Sequence, residues 1–185
     1  VHGEWVYNLW RDENHPQGLW RRTSLERYLH NDFEWETLLD LDALSAKEAT
    51  NWVWKSAYFP ADGDNRCLIE ISEGGKDAAV FREFDLKTQK FVENGFSLPE
   101  GKHFVAWLSP DTLLVAPDLG KDSLTESGYP KTVRRLERGK SLEEAPLLFD
   151  GSYGHVSSRP SVFHDQGKAV AFLFDVIDFF HYKKY

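Results

Sequence analysis

The nearest match to a serine-nucleophile motif is Gly151-Ser152-Tyr153-Gly154. Many hydrolases place a nucleophilic serine in Gly-x-Ser-x-Gly, on a sharp turn between a strand and a helix. Here Asp150 stands in place of the first glycine, and no helical pattern follows. We therefore interpret the segment as an ordinary turn and predict no catalytic residue in this chain.

Metal-ligating residues are sparse. No pair of histidines has the spacing of the His-Glu-x-x-His motif, and a single cysteine excludes a Cys-x-x-Cys pair. We predict no metal site and no cofactor. We expect the histidines in loops and at the surface; they are His2, His15, His30, His103, His155, His164 and His181.

Cys67 lies in the apolar run 67–69, and we expect it to be a buried structural thiol. A free cysteine packs as a small apolar side chain. One unpaired cysteine also fits a reducing compartment. We therefore expect a cytoplasmic location, while a periplasmic one stays open.

Other groups with chemical potential have structural explanations. Nothing selects two acids for a glycosidase pair, so we interpret the candidates as solvated; they are Glu34, Glu36, Asp40 and Asp42. Gly74-Gly75 lies in a hairpin turn and not before a helix, so phosphate binding is not indicated. Six tryptophans alternate along predicted strands and are expected in the core; they are Trp5, Trp10, Trp20, Trp52, Trp54 and Trp107.

A polar segment, Ser123 to Pro130, interrupts two predicted strands and is rich in hydroxyl groups. Loops on a rigid scaffold often carry function. We favour a hydrogen-bonded turn that maintains the local geometry.

The composition favours one globular domain rich in β-structure. The 185 residues are 41% apolar and include 13 Phe, 7 Tyr and 7 Trp, and aromatic residues favour strands. The net charge is −8, and the basic residues form no dense patch. No apolar run approaches the ~18 residues of a membrane helix. We expect no nucleic-acid partner and no membrane partner.

Alternating apolar and polar residues predict strands along most of the chain. The predicted strands are 4–10, 19–28, 35–41, 52–59, 66–72, 78–85, 90–92, 104–107, 112–116, 132–138, 147–149, 161–163 and 169–174. Turns are predicted at 60–64 and 165–168, among others, and the one good helix candidate is 42–50.

Aromatic-rich strands begin at Trp52, at Phe104 and near Ser161, so a unit of about four strands repeats every ~50–60 residues. Such repeats are typical of propeller blades, and an all-β sandwich is the structural alternative. We predict an all-β fold, a partial β-propeller of about three to four four-stranded antiparallel blades. It would form a single domain, with units at about 1–45, 46–100, 101–151 and 152–185.

Four segments resemble, in order, the first part of the propeller in bacterial members of the prolyl oligopeptidase family. They are YNLWRDENHPQGLWRRTSLERY, WETLLDLDALSAKEATNWVWKSAY, REFDLKTQKFVENGFSLPEGKHFVAW and DTLLVAPDLGKDSLTESGYPKTVRRLERGKSLEEA. These matches extend from about Tyr7 to about Gly151.

The resemblance implies a seven-bladed propeller joined to an α/β-hydrolase domain that carries a Ser-Asp-His triad. In that family the propeller covers the active site and limits substrates to short peptides, cleaved typically after proline. This chain would be a non-catalytic piece of such a serine peptidase. Its partner would be the hydrolase domain, and short peptides would be substrates of the parent.

The chain contains no methionine, so we expect it to come from a longer product. An open ring would leave apolar groups uncovered at both ends, and we therefore expect self-association or tight binding to the rest of the parent. The end groups are Trp5, Tyr7, Leu9 and Trp10, and Phe172, Phe174, Phe179, Phe180 and Tyr182. Two alternatives stay open: a free-standing propeller-like module that binds a peptide or protein, and a propeller glycosidase.

Overall fold

The structure, a computed structural model, describes residues 1–61, 64–165 and 167–185. Within these residues the chain forms four antiparallel sheets, which follow one another in sequence. The predicted turns at 60–64 and 165–168 fall partly on residues 62, 63 and 166, which lie outside the described residues.

The first two sheets are formed by residues 5–101. The first has the order β1-β2-β3 and contains β1 (Trp5–Trp10), β2 (Leu19–Ser24) and β3 (Glu36–Asp40). The second has the order β4-β5-β6-β7, with a further strand β8 on β6. Its strands are β4 (Trp52–Tyr58), β5 (Arg66–Glu73), β6 (Ala79–Asp85), β7 (Lys90–Phe91) and β8 (Ser97–Gly101).

The third and fourth sheets complete the described fold. The third has the order β12-β11-β10-β9 and contains β9 (Phe104–Ser109), β10 (Thr112–Ala116), β11 (Thr132–Glu137) and β12 (Leu147–Asp150). The fourth has the order β13-β14-β15 and contains β13 (Ser157–Asp165), β14 (Lys168–Val176) and β15 (Tyr182–Lys184).

The second sheet is the centre of the fold because it has a buried core on each face. Successive strand residues point to opposite faces. Leu68 of β5 packs in the cluster shared with the third sheet, which includes Trp107 and Leu113. Its neighbours Cys67 and Ile69 pack in the cluster shared with the first sheet. Burial on both faces explains why β5 is a near-continuous apolar run.

The leading strands of the last three sheets are neighbours in space: β4 contacts β9, and β9 contacts β13. These three sheets therefore begin close to one another and extend outward, as blades do in a propeller. The all-β prediction is confirmed. Within the described residues, the sheets contain three, five, four and three strands, and they do not close into a ring.

The predicted strand 19–28 is too long, because it ends at Ser24 and is followed by a helix, α1 (Leu25–Leu29). The Ser24 hydroxyl accepts a hydrogen bond from the backbone N–H of Arg27 at 3.2 Å. This is an N-cap, which satisfies a backbone donor at the start of the helix. Because α1 is short, its residues were interpreted as a continuation of the alternating pattern of β2.

The predicted helix 42–50 is present as α2 (Leu41–Glu48). The Asp40 carboxylate caps it by accepting from the Ala43 N–H at 2.9 Å. The helix ends at Ala49, whose φ of 51° is left-handed. Strand β8 was not predicted. It contains Pro99 and exposes most of its residues, so it lacks the usual alternation signal.

The tryptophan prediction holds for the core and fails at one edge. Trp20 and Trp107 are buried, and Trp52 and Trp54 pack against the core. The prediction is wrong for Trp10, which is 45% exposed. Trp10 lies one residue out of phase with Tyr7 and Leu9, which pack on the second sheet, so it points to the opposite face of β1.

Candidate functional site

The segment 151–154 lies in a turn region, as predicted. Ser152 and Tyr153 are exposed, and the chain passes through a turn into β13 without forming a helix. Gly151 is instead a packing position. A Cβ added there would lie 2.5 Å from Ser158 Oγ and 3.1 Å from the carbonyl oxygen of Lys131. The glycine therefore allows two backbone segments to approach each other closely.

A serine, a histidine and an aspartate do meet beside this turn. His155 Nδ1 lies 2.8 Å from Asp175 Oδ1, and Asp175 is only 3% exposed. Ser158 is the register partner of Asp175 on the neighbouring strand. Its buried hydroxyl has no hydrogen-bond partner among the described residues. Histidine therefore contacts the acid but does not activate the hydroxyl, so the group lacks the relay of a catalytic triad.

The segment 123–130 packs against this group as a hydrogen-bonded turn. The Thr125 hydroxyl donates to the Val156 carbonyl at 2.9 Å, and the Glu126 N–H donates to the Tyr153 carbonyl at 2.8 Å. Ser123 is buried, and its hydroxyl donates to the Gly120 carbonyl at 2.8 Å. The hydroxyl groups that marked the segment in the sequence thus satisfy backbone groups and connect the third sheet to the fourth. This confirms the interpretation as a structural turn.

A second polar group connects the second sheet to the third. The fully buried Glu83 carboxylate of β6 receives two hydrogen bonds from Arg138, at 2.8 and 2.9 Å, and a third from the Phe96 N–H at 2.7 Å. The guanidinium of Arg66 is 3.5 Å away. Paired, bidentate contacts of this kind compensate the cost of burying a charge. The hydrogen bonds to Glu83 also raise the pKa of Arg138.

His103 lies before β9 and corrects the expectation of surface histidines. It is buried, with Nε2 2.9 Å from the Pro99 carbonyl and Nδ1 accepting from the Asp118 N–H at 3.1 Å. Since Nδ1 accepts, Nε2 carries the proton and the ring is neutral. Burial lowers the pKa of His103. The ring therefore has a structural role, linking β8 to the loop after β10.

Cys67 is buried, as predicted. Burial, with a smaller contribution from the charge of Glu83, raises the pKa of its thiol far above the ordinary value. A protonated, enclosed thiol is a poor nucleophile. In the parts of the chain that the structure describes, no three His, Cys, Asp or Glu residues are grouped so as to hold a metal ion.

The four acidic candidates each have a neighbour that explains them. Glu34 pairs with Arg27, and Glu36 with Arg22. Asp40 caps α2, and the Asp42 carboxylate accepts from the N–H groups of Gln17 and Gly18. Their roles in ion pairs and capping favour structure over the acid–base pair of a glycosidase.

Sequence reasoning missed both connecting groups. Glu83 and Asp175 lie far in sequence from Arg138 and His155, and an alternating strand gives no sign that one of its acids is buried. In β6 the signal was weak, because Glu83 lies between two Phe residues but shares the strand with a second acid, Asp85. Neither α1 nor α2, nor any other helix in the described ranges, has the length and hydropathy to cross a membrane.

The buried polar groups thus connect consecutive antiparallel sheets. This arrangement is that of a propeller-type scaffold. Residues 1–158 match the family model described as prolyl oligopeptidase, N-terminal β-propeller domain. The chain belongs to the prolyl oligopeptidase family and contributes part of its propeller.

Relatives of known sequence are peptidases. The chain is 42% identical over 166 residues to an uncharacterized peptidase of Sinorhizobium fredii, which covers 89% of this chain and 23% of that protein. It is 37% identical over 191 residues to an uncharacterized peptidase of Rickettsia prowazekii, covering 98% and 26%. The chain therefore spans about a quarter of the length of the curated relatives that it matches.

Solved structures give the same result. A post-proline cleaving enzyme from Rickettsia typhi superposes with a TM-score of 0.90 at 34% identity, covering 100% of this chain and 28% of that one. Oligopeptidase B from Leishmania major superposes with a TM-score of 0.67 at 12% identity, covering 95% and 25%. The second likeness shows the fold alone.

Proposed function

We propose that this chain forms part of the propeller of a serine peptidase that cleaves short peptides after proline, and that it limits which substrates reach the active site. The observation that carries the proposal is the superposition, over the full chain, on the post-proline cleaving enzyme of Rickettsia typhi. The partner is the hydrolase domain of the same parent. The free-standing module has no support among these relatives, since each is a peptidase much longer than the matched segment.

A substrate filter must not open under thermal motion, and the connections between sheets supply that rigidity. Glu83 and Arg138 connect the second sheet to the third, and 123–130 connects the third to the fourth. A large peptide can pass a propeller wall only if neighbouring blades separate. We propose that the units at about 1–45, 46–100, 101–151 and 152–185 are successive blades of that wall, and the four sheets support this division.

The exposed end of the fourth sheet supports an association surface. Phe179 and Phe180 are 92% and 88% exposed, and Tyr182 is also exposed. Apolar groups exposed together mark sites of contact. We propose that they contact the rest of the parent, and that the isolated chain self-associates through them. We place the protein in the cytoplasm, which the single free thiol supports.

The test uses the full-length parent and the 185-residue chain in parallel. Both are incubated with a chromogenic peptide that contains proline and with a serine-directed phosphonate. We expect turnover and stoichiometric labelling of the parent, and neither with the chain. Turnover by the chain alone, or a parent that cleaves equally well after residues other than proline, would contradict the proposal.

Filtering is tested by substrate length. The parent is assayed with a proline-containing octapeptide and with a folded protein of similar sequence context. Replacing Arg138 with Ala removes the main partner of Glu83 and should raise the relative rate on the larger substrate. Arg135→Ala is the matched control, because the Arg135 side chain pairs with Glu137 at the surface. If both variants show the same size selectivity, the Glu83–Arg138 connection does not control which substrates reach the active site.

A further inference from the structure

The boundaries between consecutive sheets are built from different kinds of side chain. The first and second sheets share one buried apolar cluster, and the second and third sheets share another. Among the described residues, neither cluster contains a member of the fourth sheet. The buried residues in the strands of the fourth sheet are Ser157, Ser158, Pro160 and Asp175. Within its described strands, the fourth sheet therefore brings no buried Leu, Ile, Val, Phe or Trp side chain to its boundary with the third sheet.

The third sheet presents apolar side chains to this polar surface. Strand β13 contacts β9, β10 and β11. Leu114 and Ala116 of β10 are buried. Alternation places them on the face opposite to Leu113 and Val115, which lie in the core shared with the second sheet. The boundary therefore joins an apolar face of the third sheet to a largely polar face of the fourth.

One buried polar group at this boundary lacks compensation. Ser158 is buried, and its hydroxyl has no hydrogen-bond partner among the described residues. A buried hydroxyl without a partner is destabilising, and water becomes its partner when the two sheets separate. Separation of the second and third sheets would instead expose Trp107 and Leu113 to water, which is unfavourable. Opening should therefore cost less at the boundary between the third and fourth sheets.

A few polar contacts hold this boundary closed. The Ser158 N–H donates to the Pro130 carbonyl at 2.7 Å. The Thr125 hydroxyl donates, at 2.9 Å, to a backbone carbonyl of the segment that leads into β13. The guanidinium of Arg159 lies 4.5 Å from the ring centre of Phe104 in β9. Water can replace each of these hydrogen bonds when the sheets separate, so the net free energy that each contributes to closure is small.

We propose that the boundary between the third and fourth sheets is a gate in the propeller wall. It separates before the other boundaries, while the first three sheets stay packed through their two apolar clusters. Local opening of a fold occurs where buried apolar contacts are few. That the open gate admits peptides rests on the proposed filter function, whereas the order in which the sheets separate does not.

Two N–H groups report on two boundaries of the unmodified chain. The Ser158 N–H spans the gate. The Trp107 indole N–H donates to the Tyr58 carbonyl at 2.9 Å and spans the boundary between the second and third sheets. Their hydrogen exchange is followed by NMR at several urea concentrations. We expect the Ser158 N–H to be at least about tenfold less protected and nearly insensitive to urea, as in a local opening, and the indole protection to fall steeply, as in global unfolding. Equal protection with equal urea dependence would overturn the proposal.

Two adjacent serines give opposite predictions. Ser158→Ala removes the hydroxyl that gains a partner on opening, so protection of the N–H at position 158 should rise at least about fivefold. Ser157→Ala removes the acceptor of the Arg159 Nε–H, at 3.0 Å, and should lower that protection about two- to tenfold. Circular dichroism establishes that both variants are folded. Lower protection in Ser158→Ala would show that its hydroxyl stabilises the closed boundary, and would overturn the proposal.

Thr125→Val removes one hydrogen bond across the gate and should lower protection of the Ser158 N–H about two- to tenfold. Thr50→Val is the matched control, because it removes a hydroxyl bond to the Glu48 carbonyl, at 3.1 Å, beside α2. It should leave the Ser158 N–H unchanged. In the parent, Thr125→Val should raise the rate on a long proline-containing peptide relative to an octapeptide. If the Ser158 N–H responds and this size selectivity does not, the filter function is wrong and the gate stands. If the Ser158 N–H does not respond, the gate is wrong, whatever the parent cleaves.

Discussion

Two regions of the molecule use aromatic and charged residues in opposite ways. One is the connection between the second and third sheets, and the other is the outer end of the fourth sheet. At the connection, Glu83 is enclosed by Arg138 and the Phe96 N–H, above a core that includes Phe81 and Trp107. At the outer end, Phe179 and Phe180 lie in water. In the first region, polar and apolar groups contact partners within the chain. In the second, apolar side chains are exposed and available to contact another protein surface.

The two regions also differ in their expected sensitivity to substitution. A buried ion pair has no water to replace a lost partner, so removing one member leaves an uncompensated charge. An exposed ring loses little when it is replaced. Substitutions in the first region should therefore change the free energy of unfolding, and substitutions in the second should change association.

The largest effect is expected for Arg138→Ala. It removes both strong hydrogen bonds to the Glu83 carboxylate and should lower the free energy of unfolding by about 3–5 kcal/mol. Urea unfolding monitored by fluorescence measures this. Arg135→Ala, three residues earlier in β11 and at the surface, should change stability by less than about 0.5 kcal/mol. A similar decrease in the free energy of unfolding in both variants would show that the buried Glu83–Arg138 pair contributes no more than a surface pair.

The second effect is steric, at the connection between the third and fourth sheets. Gly151→Ala places a Cβ 2.5 Å from Ser158 Oγ and should cost about 1–3 kcal/mol. Gly154→Ala is a close control, because nothing lies within 4 Å of a Cβ built there. The double variant Gly151→Ala, Ser158→Ala removes the crowded hydroxyl and should recover much of the loss. Thermal unfolding of the four proteins decides this, and no recovery would place the strain at the Lys131 carbonyl instead.

The third effect depends on pH. Burial lowers the pKa of His103 below 6.5. As the pH falls through about 6.5, the unfolded ring takes up a proton and the folded one does not, so stability falls with pH, by at most about 1.4 kcal/mol per unit. His103→Gln should flatten the stability curve between about pH 5 and 6.5. His164→Gln, at an exposed position, should leave the slope as it is. Parallel curves for all three proteins would argue against the buried neutral ring.

The smallest effect on stability is expected at the outer end of the fourth sheet. Phe179→Ser with Phe180→Ser should change the free energy of unfolding by less than about 0.5 kcal/mol, because both rings are already exposed. The same variant should reduce self-association of the chain, measured by light scattering over a range of concentrations. A wild-type chain that stays monomeric at high concentration would show that this surface does not bind a second copy.

The sequence predicted the fold better than the polar connections. Periodicity located most strands, because burial of one face of a strand imposes a two-residue repeat. It failed where a segment lacks this pattern of burial. Pro99 interrupts the pattern of β8, and a Ser24 cap converts the end of an apparent strand into α1. The burial of Glu83 depends on a residue 55 positions away, and no local pattern records a partner at that distance.

The partly exposed position of Trp5 could not be predicted, for a related reason. Alternation assigned Trp5 to the same inward set as Tyr7, and the strand does place them on one face. Whether that face is covered depends on where the neighbouring sheet ends. Tyr7 packs against the core shared with the second sheet, while Trp5 lines a cleft together with Arg22 and Trp35. A strand pattern specifies which way a side chain points but not what lies opposite.

The single thiol of Cys67 can report local opening of the fold. It is the one sulfur atom in a sequence without methionine, and it lies in the core between the first and second sheets. A thiol reagent reaches it only when these sheets come apart, so the rate of labelling counts opening events. No probe has to be engineered, and no second sulfur confuses the signal. Opening at this place can thus be timed separately from global unfolding by comparing labelling with the loss of fluorescence.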